Sequence, residues 1–193
     1  MSQIALAMHN YADSNDDRLP PAAVCGEDGT PLLSWRVLLL PYIEQNDLYK
    51  QFHLDEPWDS PHNIELLPKM PRTYAAPGSK AKKLPPYHTV CHVFFGKGAA
   101  FEGKEGLRLP GDFIDGTSNT ILIVEAGEPV PWTKPDEILF DPDKPVPELR
   151  RIFRDGFRVG MADGSRRWIP MDIDEKKLRE AIRRDDGVGG SEW

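Results

Sequence analysis

The opening stretch MSQIALAMHNYAD (residues 1–13) has the spacing of an amphipathic helix. Apolar side chains at Ile4, Leu6, Met8 and Tyr11 recur with helical periodicity, and a polar run follows directly, so we predict a helix that ends at about residue 13. No capping side chain precedes its apolar first turn, which favours the end of a longer N-terminal helix. We expect these four apolar side chains to pack against the body of the protein or against a partner.

Beyond this helix, three stretches have the composition of β-strands. Residues with branched and aromatic side chains are concentrated from Tyr87 to Phe95 and from Thr120 to Glu125. The stretch from Phe157 to Trp168 has Asp163-Gly164 at its centre, a pair that predicts a type I′ hairpin turn because both central residues of that turn need a positive φ. These strands predict an antiparallel sheet.

Further helices are indicated by capping residues. Ser34 is placed to cap a helix that Pro41 breaks or kinks, with a second helical piece after it. Near the C-terminus, Asp172 is placed to cap a helix over residues 172–187, and Glu175 completes a capping box. Together with the strands, these elements predict an α+β fold in which the N-terminal helix packs on an antiparallel sheet.

Turn-forming residues are frequent, with 16 glycines and 19 prolines among 193 residues. Prolines are densest in residues 129–147, which we predict to be a long, irregular surface excursion. The length fits a single domain over residues 1–193, with short helices and long proline-rich loops added to the sheet.

Charge and hydropathy exclude two classes of partner. The chain carries 24 Lys and Arg against 31 Asp and Glu, a net charge of −7, which argues against binding to a nucleic-acid backbone. The most apolar run, Trp35 to Ile43, is far shorter than the roughly 20 residues that a membrane-spanning helix needs. The N-terminus lacks the basic region of a signal peptide, so the chain as written is expected to be soluble.

The residues His88, Cys91 and His92 resemble a fragment of a metal or thiol site. On an extended strand, the two histidines would lie about 13 Å apart on one face, with the cysteine on the other. One zinc ion cannot gather such a set, and neighbouring cysteine and histidine side chains point apart. We therefore expect no metal, cofactor or catalytic set here, and whether Cys25 pairs with Cys91 is left open.

Two ligand sites are weaker alternatives. The oxygen donors Asp112, Asp115 and Asn119 precede a strand and are candidates for a calcium site, although the same pattern is common in ordinary turns. Trp58 and Trp132 are candidates for the rim of a carbohydrate-binding groove, in which the loops at 77–86 and 129–147 would also take part. A hydrolase whose site assembles distant carboxylates, or uses the Cys91 thiol, is a third possibility.

Several sequence blocks, taken jointly and in order, resemble the DUF1559 family of planctomycete-type bacteria. The blocks are IALAMHNY (4–11), LPP (19–21), SWRVLLLPYIEQ (34–45), EPWDSPHN (56–63), DGTSNT (115–120) and MADGS (161–165). The resemblance implies a pilin-like or pseudopilin-like protein with an N-terminal helix, the first half of which anchors in the membrane, and a globular head. It also implies an extracytoplasmic or cell-envelope location, and the family has no assigned catalytic residues.

The chain departs from this family pattern at two positions. In the C-terminal signature nine residues separate a histidine from Asp-Gly, and Phe153 occupies the histidine position here. A cysteine that often precedes Pro-Ser is replaced by Ala76. The resemblance therefore implies a non-enzymatic head domain, without the anchor, that binds protein partners or copies of itself through the N-terminal helix.

Overall fold

The computed structural model describes residues 1–76, 84–149 and 155–187. The predicted loop at 77–86 falls largely outside these residues, as does Phe153. The helices are α1 (Ser2–Asp13), α2 (Trp35–Leu38), α3 (Asn46–Tyr49) and α4 (Glu175–Ile182). The strands are β1 (Ala23–Cys25), β2 (Pro31–Ser34), β3 (His88–His92), β4 (Phe94–Phe95), β5 (Ile121–Pro131), β6 (Ile138–Leu139), β7 (Gly156–Met161) and β8 (Arg166–Pro170).

The fold is α+β, as predicted, and its largest sheet is antiparallel. The strand order is β3-β5-β7-β8, and β1 and β2 form a separate antiparallel ribbon. One small pair was not foreseen: β4 and β6 run parallel, with Phe94 opposite Ile138. This pair forms because the chain after β5 returns to lie beside β4.

Helix α1 packs on the sheet, which confirms the prediction for residues 1–13. Its buried side chains include Ile4 and Met8, and the helix contacts β7. A methyl group added to Gly160 would lie 3.8 Å from Met1 Cε, and one added to Gly164, in the turn after β7, would lie 3.8 Å from His9 Nε2. These distances are ordinary van der Waals contacts, so the helix lies close to β7 and to the turn after it.

A bulge divides β5 into two halves. Cys91 in β3 lies opposite Glu125, whereas Thr89 lies opposite Val130, so β5 contains several extra residues at this point. Gly127 occupies the bulge with a φ of +100°, a conformation that favours glycine because it has no Cβ. The bulge carries the Glu128 carbonyl to within 2.8 Å of His92 Nε2, which donates to it.

The hairpin of β7 and β8 is confirmed, but its turn differs from the prediction. Of the two central residues, only Gly164 has a positive φ, at +84°, and its amide donates to the Met161 carbonyl. The Asp163 carboxylate accepts a hydrogen bond from the Ser165 amide at 2.8 Å. That bond favours a negative φ at Asp163, so the type I′ turn is wrong.

Helix α4 is shorter than the predicted helix over 172–187. It begins at Glu175, and Asp174 rather than Asp172 is its cap, accepting from the amides of Lys176 and Lys177. Glu175 does not complete a capping box, because its carboxylate accepts from the Val146 amide and the Arg179 guanidinium. The local pattern contains Arg179, four residues along the helix, but it could not show Val146, which lies far away in the chain.

The prediction that residues 129–147 form a surface excursion is wrong. Its first residues belong to β5, and β6 interrupts the rest. Trp132, Thr133 and Phe140 are buried, so the segment crosses the body of the protein instead of leaving it. Proline is tolerated here because the segment mostly packs by side chains and forms little regular sheet.

The short helices follow the predicted breaks only in part. Ser34 caps α2, and its Oγ accepts from the Arg36 amide at 3.3 Å. A 3₁₀ turn over Leu40–Ile43 then contains Pro41 and ends at Glu44, which has a φ of +62°. This left-handed residue separates the turn from α3, so the continuous helical piece predicted after Pro41 does not form.

Candidate functional site

The outer face of α1 differs sharply from its inner face. The inner face buries Ile4, Ala5, Ala7, Met8 and Ala12 in the core. The exposed side chains Gln3, Leu6, Asn10 and Asp13 follow a single stripe at helical spacing, which we call the α1 stripe. Leu6 is 61% exposed, and Asp13 is the one charged member of the stripe.

A shallow groove lies beside Leu6. It has a volume of about 200 Å³ and is lined by Gln3, Leu6, Tyr42, Ile43, Glu44 and Thr73. The 3₁₀ turn over Leu40–Ile43 supplies Tyr42 and Ile43, and a second 3₁₀ turn over Arg72–Tyr74 supplies Thr73. The Thr73 hydroxyl lies 3.5 Å from the Gln3 side-chain oxygen, which ties this wall to the helix.

Tyrosine contacts hold the far end of α1 in place. The rings of Tyr11 and Tyr42 meet edge to face with their centroids 5.5 Å apart. The Asn15 amide donates to the Tyr11 carbonyl at 2.7 Å and to the Tyr42 hydroxyl at 3.2 Å. Burial, and then the neighbouring hydroxyls of Tyr42 and Tyr49, raise the pKa of Tyr11. These contacts fix the groove wall against the helix.

Arg36 and Glu137 form a buried ion pair. Arg36 Nη1 donates to Glu137 Oε1 at 2.8 Å, and Nη2 donates to Oε2 at 3.3 Å. The carboxylate also accepts from Trp35 Nε1 and from the Val93 amide, each at 2.9 Å. The guanidinium further donates to the Cys91 carbonyl and to Ser34 Oγ. All of these groups face one another, which is the arrangement of a structural network.

The first half of the chain matches a known protein family. The family model described as "Protein of unknown function (DUF1559)" matches residues 1–102. The chain belongs to the DUF1559 family. Neither the search of curated proteins nor the search of solved structures found a match. The match spans α1, the groove walls and Arg36; the C-terminal signature lies beyond it and stays a prediction.

The two thiols of this DUF1559 chain are far from equivalent. Both are free, so the question of a disulfide between Cys25 and Cys91 is answered against pairing. Cys91 is buried, and burial raises the pKa of its thiol to about 12, against a smaller opposite effect of Arg36. The thiolate is the reactive form, so Cys91 is poorly suited to act as a nucleophile at neutral pH.

The calcium candidates do not form an open site. Both carboxylate oxygens of Asp115 accept backbone hydrogen bonds at 2.8 Å, from the amides of Asp186 and Gly187. Asp112 accepts from the Arg108 amide at 2.7 Å, and the Asn119 amide donates to the Asp115 carbonyl. Over the described residues, no group of three or more His, Cys, Asp or Glu side chains is placed to hold a metal ion. The pattern is turn chemistry that anchors the segment after α4.

Trp58 and Trp132 do not form the predicted aromatic rim. Trp132 is fully buried, its ring lies against Phe52 and Tyr74, and its Nε1 donates to the Leu67 carbonyl at 2.9 Å. It cannot stack on a sugar because no face of its ring reaches solvent. Trp58 is only partly buried, and its amide donates to the Leu32 carbonyl. The two tryptophans therefore do not share a rim.

The sequence of this DUF1559 chain did not reveal two residues with buried polar side chains, Asn63 and Glu137. Asn63 is fully buried and holds the loop from His53 in place: its Nδ2 donates to the carbonyls of His53, Glu56 and Pro57, and its Oδ1 accepts from the His53 amide. Glu137 was the second. The block EPWDSPHN, which contains Asn63, was noted only for the family resemblance, whereas nothing local marks Glu137.

No helix among residues 1–76, 84–149 and 155–187 is both long and apolar enough to cross a membrane.

Proposed function

We propose that this DUF1559 chain is a non-enzymatic, pilin-like head domain that associates with copies of itself through the α1 stripe. The observation that carries the proposal is the exposure of Leu6, at 61%, on the helix whose opposite face is buried in the core. The resemblance noted in the sequence analysis adds a cell-envelope location to this proposal.

The composition of the stripe supports an interface. Charged residues make up 28% of the chain, yet between Ser2 and Ala12 the helix carries no Asp, Glu, Lys or Arg. Interface centres are depleted in charged side chains because each charge must lose its water. A leucine at the middle of such a stripe supplies apolar area that gains free energy when a partner covers it.

The shape of the surface favours a second copy as the occupant. A two-fold interface brings the same patch of both protomers together, so the patch must contain both a projection and a recess. Here Leu6 projects beside the groove formed with Tyr42, Ile43 and Thr73. In an antiparallel arrangement of two α1 helices, Leu6 of each copy would enter the groove of the other.

The buried polar groups support a non-enzymatic role. Four buried polar side chains form their hydrogen bonds with other groups of the protein; they are those of Arg36, Glu137, Asn63 and Asp115. A catalytic group needs a free face toward its substrate. We therefore assign these four residues a role in stabilising the fold, and the α1 stripe a role in association.

Sedimentation velocity over a series of protein concentrations tests the proposal. Small interfaces associate weakly, so we expect a shift toward dimer between about 10 µM and about 1 mM. Leu6→Lys should lower the association constant at least about tenfold because the interface would bury an unpaired charge. Ile114→Lys is the matched control: Ile114 is 74% exposed on a loop and does not line the groove beside Leu6, so this variant should associate like the wild type.

Two results would contradict the proposal. One is a sedimentation coefficient that stays constant over the whole concentration series. The other is an equal loss of association in Leu6→Lys and Ile114→Lys, which would show a general effect of charge. Thermal unfolding of both variants checks that each remains folded.

A further inference from the structure

A second concave site, which shares no lining residue with the groove beside Leu6, lies between the β1–β2 ribbon and the chain around β6. It is a half-open cavity of about 250 Å³. The β1–β2 ribbon, the loop at 103–104 and the segment from Pro135 to Leu139 all contribute to its wall. Its lining residues are Ala22, Ala23, Cys25, Gly29, Pro31, Phe95, Gly103, Lys104, Pro135, Glu137 and Leu139. Most of this lining is apolar.

The polar groups at the cavity are few, and one of them is already saturated. Glu137 reaches the cavity wall, but its two oxygens accept hydrogen bonds from Trp35, Arg36 and Val93. Its negative charge is balanced by the Arg36 guanidinium at 2.8 Å. Glu137 therefore neither attracts a cation into the cavity nor offers an unused acceptor to a ligand.

Lys104 is the other charged residue that lines the cavity. It is an exposed residue on the cavity rim, and its Nζ lies over Gly29, 2.9 Å from the position of an added Cβ. Within the described part of the chain, no carboxylate lies within 4 Å of this ammonium group. The nearby Asp28 carboxylate accepts hydrogen bonds from the Thr30 amide and hydroxyl, each at 2.8 Å, and the charge of Lys104 adds to these bonds in lowering the pKa of Asp28. The cavity thus combines an apolar interior with one cation at its mouth.

We propose that this cavity binds a small carboxylic acid with a compact apolar body, such as an aromatic acid. An engineered apolar cavity of about 150 Å³ is large enough for benzene, so the larger cavity here has room for a bicyclic ring. The ring would lie against Ala23, Phe95 and Leu139, and the carboxylate would face Lys104. Apolar burial supplies most of the affinity, and the ammonium group selects for the acid.

Cys25 provides a reporter of occupancy inside the cavity. Its thiol is free and partly exposed, whereas Cys91 is buried with a raised pKa. An uncharged thiol reagent such as N-ethylmaleimide should therefore modify Cys25 first in the native protein. A ligand in the cavity would cover this thiol and slow the reaction.

The experiment measures N-ethylmaleimide modification of the folded chain by mass spectrometry, with and without 1-naphthoate. We expect 1-naphthoate to slow the reaction at Cys25 at least about threefold, whereas the uncharged 1-naphthamide has a weaker effect. Titration calorimetry on Lys104→Gln should show naphthoate affinity lowered about threefold to tenfold, the range for an exposed to partly desolvated ion pair. Lys50→Gln, on a residue that does not line the cavity, should bind like the wild type.

Two outcomes would overturn the inference. One is a modification rate of Cys25 that does not change at millimolar naphthoate. The other is equal binding of naphthoate and naphthamide together with wild-type affinity in Lys104→Gln, which would remove the acid from the proposal. Neither outcome bears on self-association, because the Leu6 variants test a different surface by a different measurement.

Discussion

Arg36 and Glu137 lie 101 positions apart in the sequence, yet their side chains form an ion pair at 2.8 Å that is almost fully buried. The Arg36 side chain is 0% exposed and that of Glu137 is 5% exposed. Each charge is also hydrogen bonded to groups other than its partner, namely the Cys91 carbonyl, Trp35 Nε1 and the Val93 amide. The pair joins α2 to the segment before β6, across the end of β3.

Breaking this pair should destabilise the protein strongly. Glu137→Gln removes the negative charge and leaves the Arg36 guanidinium buried without a counter-ion, which costs about 3–5 kcal/mol in comparable cases. Denaturant unfolding measures the loss in the free energy of unfolding. Asp136→Asn is the control, because Asp136 pairs with Lys134 on the surface and should contribute less than about 1 kcal/mol. A loss no larger than that of the control would contradict the structural role of the pair.

The same pair also predicts non-additivity. The double variant Arg36→Met with Glu137→Leu removes both charges together, so it should lose less free energy of unfolding than the two single changes added. A double-mutant cycle by denaturant unfolding measures this difference. Strict additivity would mean that the two side chains do not interact.

Asn63 should be a second point of high sensitivity. Asn63→Ala leaves the carbonyls of His53, Glu56 and Pro57 and the His53 amide without their shared partner. Losing these buried bonds is expected to cost about 2–4 kcal/mol. Asn46→Ala, on an exposed residue at the start of α3, should change stability by less than about 0.5 kcal/mol. Equal thermal shifts for the two variants would refute this role of Asn63.

The start of α4 can be located by two single substitutions. Asp174→Ala removes the side chain that accepts from the Lys176 and Lys177 amides, and should cost about 0.5–2 kcal/mol. Asp172→Ala should be nearly neutral, because Asp172 lies outside the helix. If Asp172→Ala proved the more damaging change, the helix would begin where the sequence pattern placed it.

Cys91 should make the protein sensitive to alkaline pH. Its folded pKa is raised to about 12 from an ordinary value of 9.0, so the unfolded chain gives up the thiol proton first as pH rises. Stability linked to this group is present below pH 9 and is lost between about pH 9 and pH 12. From pH 9 to pH 10.5, wild type should lose about 1–2 kcal/mol more than Cys91→Ala.

A comparison at pH 7 serves as the control for this effect. Any difference between wild type and Cys91→Ala at pH 7 comes from packing, because the thiol is protonated in both the folded and the unfolded chain there. Denaturant unfolding at pH 7, 9 and 10.5 separates the two contributions. Parallel stability curves for the two proteins would show that the Cys91 thiol ionises equally well in the folded state.

The elements that could be predicted are those with a strong local signal. Helix α1 has apolar periodicity, the β7–β8 hairpin has Asp163-Gly164, and α2 has Ser34 as its cap. The same periodicity placed Ile4 and Met8 correctly against the body of the protein. It could not show that Leu6 points outward beside a groove, because Tyr42 and Thr73 come from distant parts of the chain.

Two of the errors share one cause, which is a partner far away in the sequence. Residues 129–147 look like a loop by composition, but Trp132 and Phe140 are core residues and Glu137 neutralises Arg36. Glu175 was expected to cap its own helix and instead accepts from the Val146 amide. Local preference cannot anticipate such contacts, since tertiary packing decides between alternatives of similar local energy.

The ion pair of Arg36 also means that the family match does not mark a separable unit. Arg36 and strand β3 lie within residues 1–102, but Glu137 and the strand that pairs with β3 lie after them. A fragment cut at residue 102 would expose one edge of β3 and bury a positive charge with nothing to balance it. The half of the sequence that the family model matches therefore depends for its shape on the half that it does not match.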